Sequence, residues 1–297
     1  MKVGLVTLIG KPNVGKSTLL NKLVGHKVSI VSNKPQTTRK RVLGIAQTED
    51  YQVAFIDTPG IHEPHTKLGR AMVESARESL ADIDLIVYVV DASKKPDEHD
   101  QRIGKLIADA KAPILLCLNK MDLLDAEFVV ERVADFCKLV NLDPESVDNY
   151  IFTTATREHN LDILKDRILA HLSEGEELYP DDEYTNQSLR FMVGELIREK
   201  VLPKTKQEVP HATAVHVEEW TDEPKVTRIS AIIVVEKQGQ KAILIGKKGQ
   251  FIKDIGTLAR LEVEEVIGRP VYLELQVKVR EDWRMNTSIL RELEYID

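Results

Sequence analysis

The sequence predicts an α/β domain, with a mostly parallel sheet and helices on both faces, followed by a smaller α+β domain. Three observations lead there. Over residues 1–173 short apolar runs alternate with longer amphipathic stretches, the rhythm of a parallel sheet covered on both sides. Residues 174–183 (EGEELYPDDE) then carry six carboxylates, no basic residue and no period, so 174–186 reads as an acidic linker. Beyond it, over 187–297, the order becomes helix, strand, strand, helix, helix, strand. A length of 297 residues suits two domains. With 42% hydrophobic and 30% charged residues the chain can build two cores, which excludes a disordered or fibrous protein.

The elements follow in order. Strands are expected at Val3–Ile9, Arg41–Gln47, Gln52–Ile56, Leu85–Asp91, Pro113–Leu118 and Tyr150–Thr153. Helices are expected at Lys16–Val24, Leu68–Ala81, Asp97–Ala110, Ala126–Leu139 and Asn160–Leu172. Val3–Ile9 runs into a glycine loop rather than a small-residue cleavage site, so it reads as a buried first strand and not a signal core. Leu85–Val90 and Ile114–Leu118 fall far short of the ~20 residues that span a bilayer. In the second domain a helix over Gln187–Val201 stops before Pro203. Ala212–Trp220 and Val226–Lys237 alternate as strands around a turn at Thr221–Lys225. Lys241–Ile245 and Gln250–Ile267 read as helices separated by Gly246–Gly249, and Val271–Val279 closes the region as a strand. There is no internal repeat. Two cysteines, Cys117 and Cys137, cannot build a disulfide framework or a zinc site, which points to a reducing cytosol. Cys117 reads as a small apolar core residue.

The strongest local signal is GKPNVGKS, comprising Gly10, Lys11, Pro12, Asn13, Val14, Gly15, Lys16 and Ser17, between a strand and a helix that continues with Thr18. Its glycines let successive backbone N–H groups close around phosphate oxygens. The helix behind them adds the positive end of its dipole. Lys16 supplies a charge for the β- and γ-phosphates, and the Ser17 hydroxyl is placed to ligate Mg²⁺.

Asn119-Lys120-Met121-Asp122 selects the base. It lies at the carboxyl end of an expected strand, where open α/β sheets bind ligands. Guanine presents N1–H and its exocyclic amine side by side, and the Asp122 carboxylate can accept both. Asn119 can tie the base edge to the phosphate loop, and the Lys120 stem can pack over the ring. Asp57-Thr58-Pro59-Gly60 ends another strand; there Asp57 can hold Mg²⁺ through water and the Gly60 N–H can sense the γ-phosphate. In Pro35-Gln36-Thr37-Thr38-Arg39 one threonine hydroxyl would complete the metal shell while the γ-phosphate is present. Thr38 is favoured over Thr37, although spacing does not decide between them. Thr153-Thr154-Ala155 would set the Ala155 backbone against the guanine.

Together GKPNVGKS, PQTTR, DTPG, NKMD and TTA resemble the five motifs of the translation-factor-class P-loop GTPases, and PQTTR with DTPGIH resembles the Era branch. The resemblance implies a GTPase that uses GTP, GDP and Mg²⁺, with Lys16, Thr38, Gly60 and Asn13 in catalysis. At Ile61 this chain lacks the glutamine that orients water in small signalling GTPases, so slow turnover is expected, on the order of 10⁻⁴–10⁻² s⁻¹. Asn13 stands where related GTPases hold K⁺, which implies stimulation by that ion.

The net charge of −7 does not suggest a nucleic-acid partner, but its distribution does. Residues 225–260 carry eight Lys/Arg against Glu236 and Asp254, and such a local surplus acts over a Debye length of about 8–10 Å. Inside it lies the turn Gly246-Lys247-Lys248-Gly249 between two helices, which with the element order resembles a type II KH domain. Its glycines allow a nucleic-acid backbone to approach, and Ile245, Gly246, Lys247, Lys248, Gly249 and Lys253 are the candidate RNA contacts. Ile243, Ile245, Ile252 and Ile255 would line an apolar groove for unstacked bases. Phe251 is the only aromatic residue in 225–260, which argues against stacking platforms.

A KH domain joined to a GTPase of this branch implies binding to the 3′ end of 16S rRNA, a role in 30S subunit assembly, a cytoplasmic monomer and loose association with the inner face of the cell membrane. Two rivals stay open. In one, GTP is structural in an RNA-binding assembly module; in the other, a signalling GTPase acts on a protein partner and its KH-like domain binds no RNA. His62 and His65 offer no third ligand, so a metal there is not expected. Trp220 and Trp283 are assigned to packing.

Overall fold

The computed structural model of the chain describes residues 1–60 and 66–296. Ile61, His62 and His65 lie outside the described residues. The chain forms two compact units.

The first unit takes Met1–Ser29, the described residues from Thr38 to Gly60, and Met72–Asn186. In chain order its elements are β1 (Lys2–Ile9), α1 (Lys16–Val24), β2 (Val42–Gln47), β3 (Tyr51–Asp57), the part of α2 (Lys67–Glu78) from Met72 on, and β4 (Leu85–Asp91). They continue with α3 (Glu98–Ala108), β5 (Ile114–Asn119), α4 (Val129–Leu139), β6 (Tyr150–Phe152), α5 (Leu161–His171) and β7 (Ser173–Glu174). The sheet runs β2-β3-β1-β4-β5-β6, with β2 antiparallel to β3 and the remaining neighbours along that path parallel. Strand β4 shows why both faces need cover. Its Leu85, Val87 and Val89 enter one apolar layer with Leu8, Leu20 and Leu164, while Ile86, Tyr88 and Val90 enter another with Ile103 and Phe136. Each such fully buried side chain contributes about 1.5–3 kcal/mol.

Residues 174–186 lie along this unit. Glu174 pairs with Lys2 as β7 runs antiparallel to β1. The Leu178 and Tyr179 N–H groups donate to Gln52 Oε1 at 2.7 and 3.0 Å, and the Thr185 hydroxyl donates to the Leu43 carbonyl at 2.8 Å.

The second unit takes Ile30–Thr37, the described residues from Thr66 to Ala71, and the chain from Gln187 onward. Its elements are α6 (Leu189–Val201), α7 (Val209–Ala212), β8 (Ala214–Asp222), β9 (Thr227–Val235), α8 (Gln238–Ile245), α9 (Gln250–Ile267), β10 (Val271–Val279) and α10 (Thr287–Glu292). A hairpin joins β8 to β9, and the α8–α9 crossover brings β10 back parallel to β9, so the sheet β10-β9-β8 is mixed. The core holds Val193, Leu196, Ile197, Ile229, Ile233, Ile255 and Val263, and Ile30 joins it. On β10, Tyr272, Glu274, Gln276 and Lys278 face out. This unit also buries charge. Arg198 is fully buried, pairs with Glu195 and donates to the Thr37 carbonyl, while the Val31 N–H donates to the Glu199 carboxylate at 2.7 Å. Trp283 is fully buried and its indole N–H donates to the Ala212 carbonyl at 2.8 Å, so it packs as expected. Among the described residues no helix is long and apolar enough to cross a membrane.

Candidate functional site

The phosphate loop leaves β1 and enters α1 at Gly15, whose φ of 108° belongs to the left-handed region. A Cβ there would collide with the Asn119 amide, so glycine is required on steric as well as torsional grounds. Lys16 lies beneath the loop, and its Nζ donates to the Gly10 and Lys11 carbonyls, each at 2.9 Å. Burial pushes its amine down to about 8, against the pull of the Asp57 carboxylate. Pro12, Asn13 and Val14 form the loop between them, with Val14 and Thr58 buried below and the Thr58 hydroxyl on the Leu8 carbonyl at 2.9 Å. Thr18 belongs to the first turn of α1. Pro59 and Gly60 follow β3 as buried residues.

At the end of β3 the Asp57 Oδ2 accepts from Ser17 Oγ at 2.6 Å, Ser29 Oγ at 3.1 Å and Thr38 Oγ1 at 3.3 Å, while Ser17 Oγ and Thr38 Oγ1 are 2.9 Å apart. Its other oxygen, Oδ1, is buried and accepts no hydrogen bond among the described residues. Burial pushes the carboxyl up, opposed by Lys16 and the three hydroxyls. An orphaned carboxylate oxygen beside two hydroxyls is a set of hard oxygen donors that fits Mg²⁺. Thr37 is not among them, because its hydroxyl donates to the Lys34 carbonyl at 2.6 Å.

Asn119 ends β5 and joins three segments. Its Nδ2 donates to the Val14 carbonyl at 2.8 Å, and its Oδ1 accepts from Thr153 Oγ1 at 3.1 Å and the Ala155 N–H at 3.0 Å. The Ala155 backbone, expected to face a base, is thus turned to Asn119. Thr154 is buried beside it, and its N–H donates to the His159 carbonyl at 3.3 Å. Lys120 adopts φ 63°, and its Nζ reaches Asp91 Oδ2 at 2.8 Å. Met121 and Asp122 lie in the short helical turn that follows, with Arg157 3.5 Å from the Asp122 carboxylate. Asp91, on the end of β4, carries no motif, and single-sequence reading missed it.

In the second unit Gly246 and Gly249 take φ of 72° and 77°, and Lys248 φ 52°, so the chain reverses between α8 and α9 within four residues. A Cβ on Gly246 would sit 2.6 Å from Phe251 Cβ. Lys247, Lys248 and Lys253 are exposed, and Ile245 is partly buried. Beside the turn α9 and β10 form an open cleft of about 270 Å³ lined by Ile252, Lys253, Gly256, Thr257, Arg260, Leu273 and Leu275. This corrects the expected groove. Ile255 is fully buried in the core, Ile243 points into solvent, and β10 supplies leucines that helical spacing on α8 and α9 could not reveal.

Comparison with known proteins bears on both units. The family model described as 50S ribosome-binding GTPase matches residues 5–120, and the KH domain model matches residues 208–284. GTPase Era of Heliobacterium modesticaldum is 44% identical over 292 residues, covering 98% of this chain and 96% of that one. The chain belongs to the Era family of GTPases. GTPase Era of Staphylococcus haemolyticus is 40% identical over 297 residues, 100% of this chain. Among solved structures, an Era variant of Aquifex aeolicus bound to GDP·AlF₄⁻ superposes with a TM-score of 0.93 at 42% identity, covering 99% of each chain. Era in complex with MgGDPNP and nucleotides 1506–1542 of 16S ribosomal RNA gives the same TM-score, identity and coverage. The enzyme is therefore a GTPase with a C-terminal KH domain, and the family's cofactors are guanine nucleotide and Mg²⁺.

Proposed function

We propose that the chain hydrolyses GTP in its first unit and binds single-stranded RNA in its second, the RNA being the 3′ end of 16S rRNA during assembly of the 30S subunit. The observation that carries this reading is the joining of the Ser17–Thr38–Asp57 oxygen cluster and the Gly246–Gly249 turn with its groove in one chain. An Era structure holding MgGDPNP and 16S rRNA nucleotides over the same fold supports it.

Ser17, Thr38 and Asp57 would hold the Mg²⁺, which neutralises charge on the β- and γ-phosphates. Lys16 shares that work. Held by the Gly10 and Lys11 carbonyls, its buried amine would add phosphate oxygens to those two contacts. Asp122 reads the guanine edge, Asn119 holds base pocket and phosphate loop in one register, and the Gly60 N–H senses the γ-phosphate. No glutamine follows Gly60, so water is positioned by backbone groups and turnover is slow. Asn13 would place K⁺ against the phosphates. Hydrolysis faster in KCl than in NaCl is the expected result, and equal rates reject this role.

In the second unit the exposed Lys247, Lys248 and Lys253 meet phosphates, while the groove between α9 and β10 admits about four unstacked nucleotides. The chain is expected to act in the cytoplasm on the 30S subunit as a monomer. Peripheral association with the inner face of the membrane rests on the family resemblance alone. Titration of a labelled 16S 3′-end oligonucleotide, with GDP or a non-hydrolysable GTP analogue, tests the reading. Saturable binding that a scrambled duplex does not compete is expected. Absence of binding in both nucleotide states leaves a GTPase that acts on a protein partner.

A further inference from the structure

We propose that Lys11 is a positioning residue, tethered to α3 by Asp97 and Asp100, that fixes the phosphate loop around Lys16 rather than touching phosphate itself. This rests on the nucleotide reading of the loop given above.

Lys11 follows the first glycine of the loop, where a basic side chain is most simply read as one more phosphate ligand. Its ammonium is instead committed elsewhere. Nζ lies 2.8 Å from Asp97 Oδ2 and 2.6 Å from Asp100 Oδ2. The Lys11 side chain is 13% exposed and that of Asp100 only 1%. Two carboxylates around one ammonium leave a net negative charge, which repels a polyphosphate.

The two aspartates are themselves fixed by the start of α3. Asp97 Oδ1 accepts from the His99 and Asp100 N–H groups at 2.9 and 3.2 Å, and Asp100 Oδ2 accepts from the Asp97 N–H at 3.0 Å. That reciprocal capping box makes the helix terminus a rigid anchor. Among the described residues the buried Asp100 Oδ1 accepts no hydrogen bond, and Lys11 offsets the charge of this carboxylate. Burial pushes the Asp100 carboxyl up, opposed first by its bond to Lys11, while Asp97, bonded to Lys11 and to backbone N–H groups, is held below the usual range.

The tether reaches the reacting end of the loop through the backbone. The Lys11 carbonyl accepts from Lys16 Nζ at 2.9 Å. A side chain pinned to α3 therefore orients the peptide group that holds the Lys16 amine, and a loop fixed before binding has less ordering to do when phosphate arrives. The sequence could not show this, because Asp97 and Asp100 lie over eighty residues away and their spacing reads only as a helix start.

The test is a double-mutant cycle on GDP·Mg²⁺ affinity in the full chain, with Lys11→Met, Asp100→Asn, their combination and Lys11→Arg, beside thermal melts without nucleotide. Wild-type binding, measured first, tests the nucleotide reading, and the variants test the tether. Lys11→Met leaves the Asp97–Asp100 box in place and Asp100→Asn is isosteric, so at least one is expected to fold. Each single change should weaken GDP about tenfold, the double change should be no worse than either alone, and Lys11→Arg should recover most of the loss. Three results overturn the proposal: affinity unchanged in Asp100→Asn while the melting temperature falls, a loss in Lys11→Met that Asp100→Asn does not share, or additive losses.

Discussion

The proposed base selection rests on one carboxylate. If Asp122 accepts both guanine donors, Asp122→Asn exchanges an acceptor for a donor, and hydrogen bonds to a charged group are worth about 1.5–3 kcal/mol. Calorimetry should show GTP weakened by about 10–100-fold and xanthosine triphosphate favoured; unchanged GTP affinity removes Asp122 from the base pocket. Asp91 acts one step behind. It orients Lys120 at 2.8 Å, and its carboxyl is held below the usual range by Lys120 and Ser93 despite its burial. A carboxyl depressed on folding stabilises the native state above its unfolded value of about 3.9, and that contribution disappears as pH falls through the lower folded value. Asp91→Asn should therefore be less stable than wild type in chemical denaturation at pH 6, with the difference closing below about pH 3. A gap that persists in acid assigns the loss to packing. Neither Asp91 nor the choice between Thr37 and Thr38 was legible in sequence, since both depend on where hydroxyls and amines meet across distant strands.

At the scale of elements, strong periodicity carried the reading and short pieces escaped it. The expected bounds of α1, α9, β4 and β10 coincide with the observed ones, because each runs from a glycine or polar break to another through an unbroken apolar pattern. The helices Val209–Ala212 and Thr287–Glu292 were not anticipated; four and six residues are too few to display a helical period, and tertiary packing holds them. The interhelical turn of the second unit bears its own prediction. Gly246→Asp with Gly249→Asp places side chains and negative charge where φ is 72° and 77°. Filter binding should show RNA affinity reduced at least about 100-fold while GTP hydrolysis stays within twofold, because the proposed phosphate contacts lie in one unit only. Loss of both activities would mean that the two units do not fold separately.

For the whole molecule, the informative observation is that consecutive residues divide between the units. The Thr37 carbonyl accepts from the buried Arg198 of the second unit, and the Thr38 hydroxyl faces Asp57 in the first. Thr37 and Thr38 share a peptide bond, so the proposed use of Thr38 by Mg²⁺ would link the nucleotide state to the second unit through the chain itself. RNA affinity should differ between the GDP and GTP-analogue states by about 5–150-fold, and by linkage RNA must change the relative affinity for the two nucleotides by the same factor. Equal RNA affinity in both states would reduce the nucleotide to a structural role.

The sequence by itself determined the α/β and α+β classes, the glycine loop between β1 and α1, the Asn119–Asp122 tetrad at the end of β5 and the interhelical glycine turn. Those features are local, because their glycines, capping residues and periods act on neighbours along the chain. Only tertiary structure decided that Thr38 joins Ser17 and Asp57, that Ile255 is core while Leu273 and Leu275 line the groove, and that Asp97 and Asp100 hold Lys11. These pairings join residues tens of positions apart, and the free energy that selects them comes from burial and from charges that must find partners once water is gone.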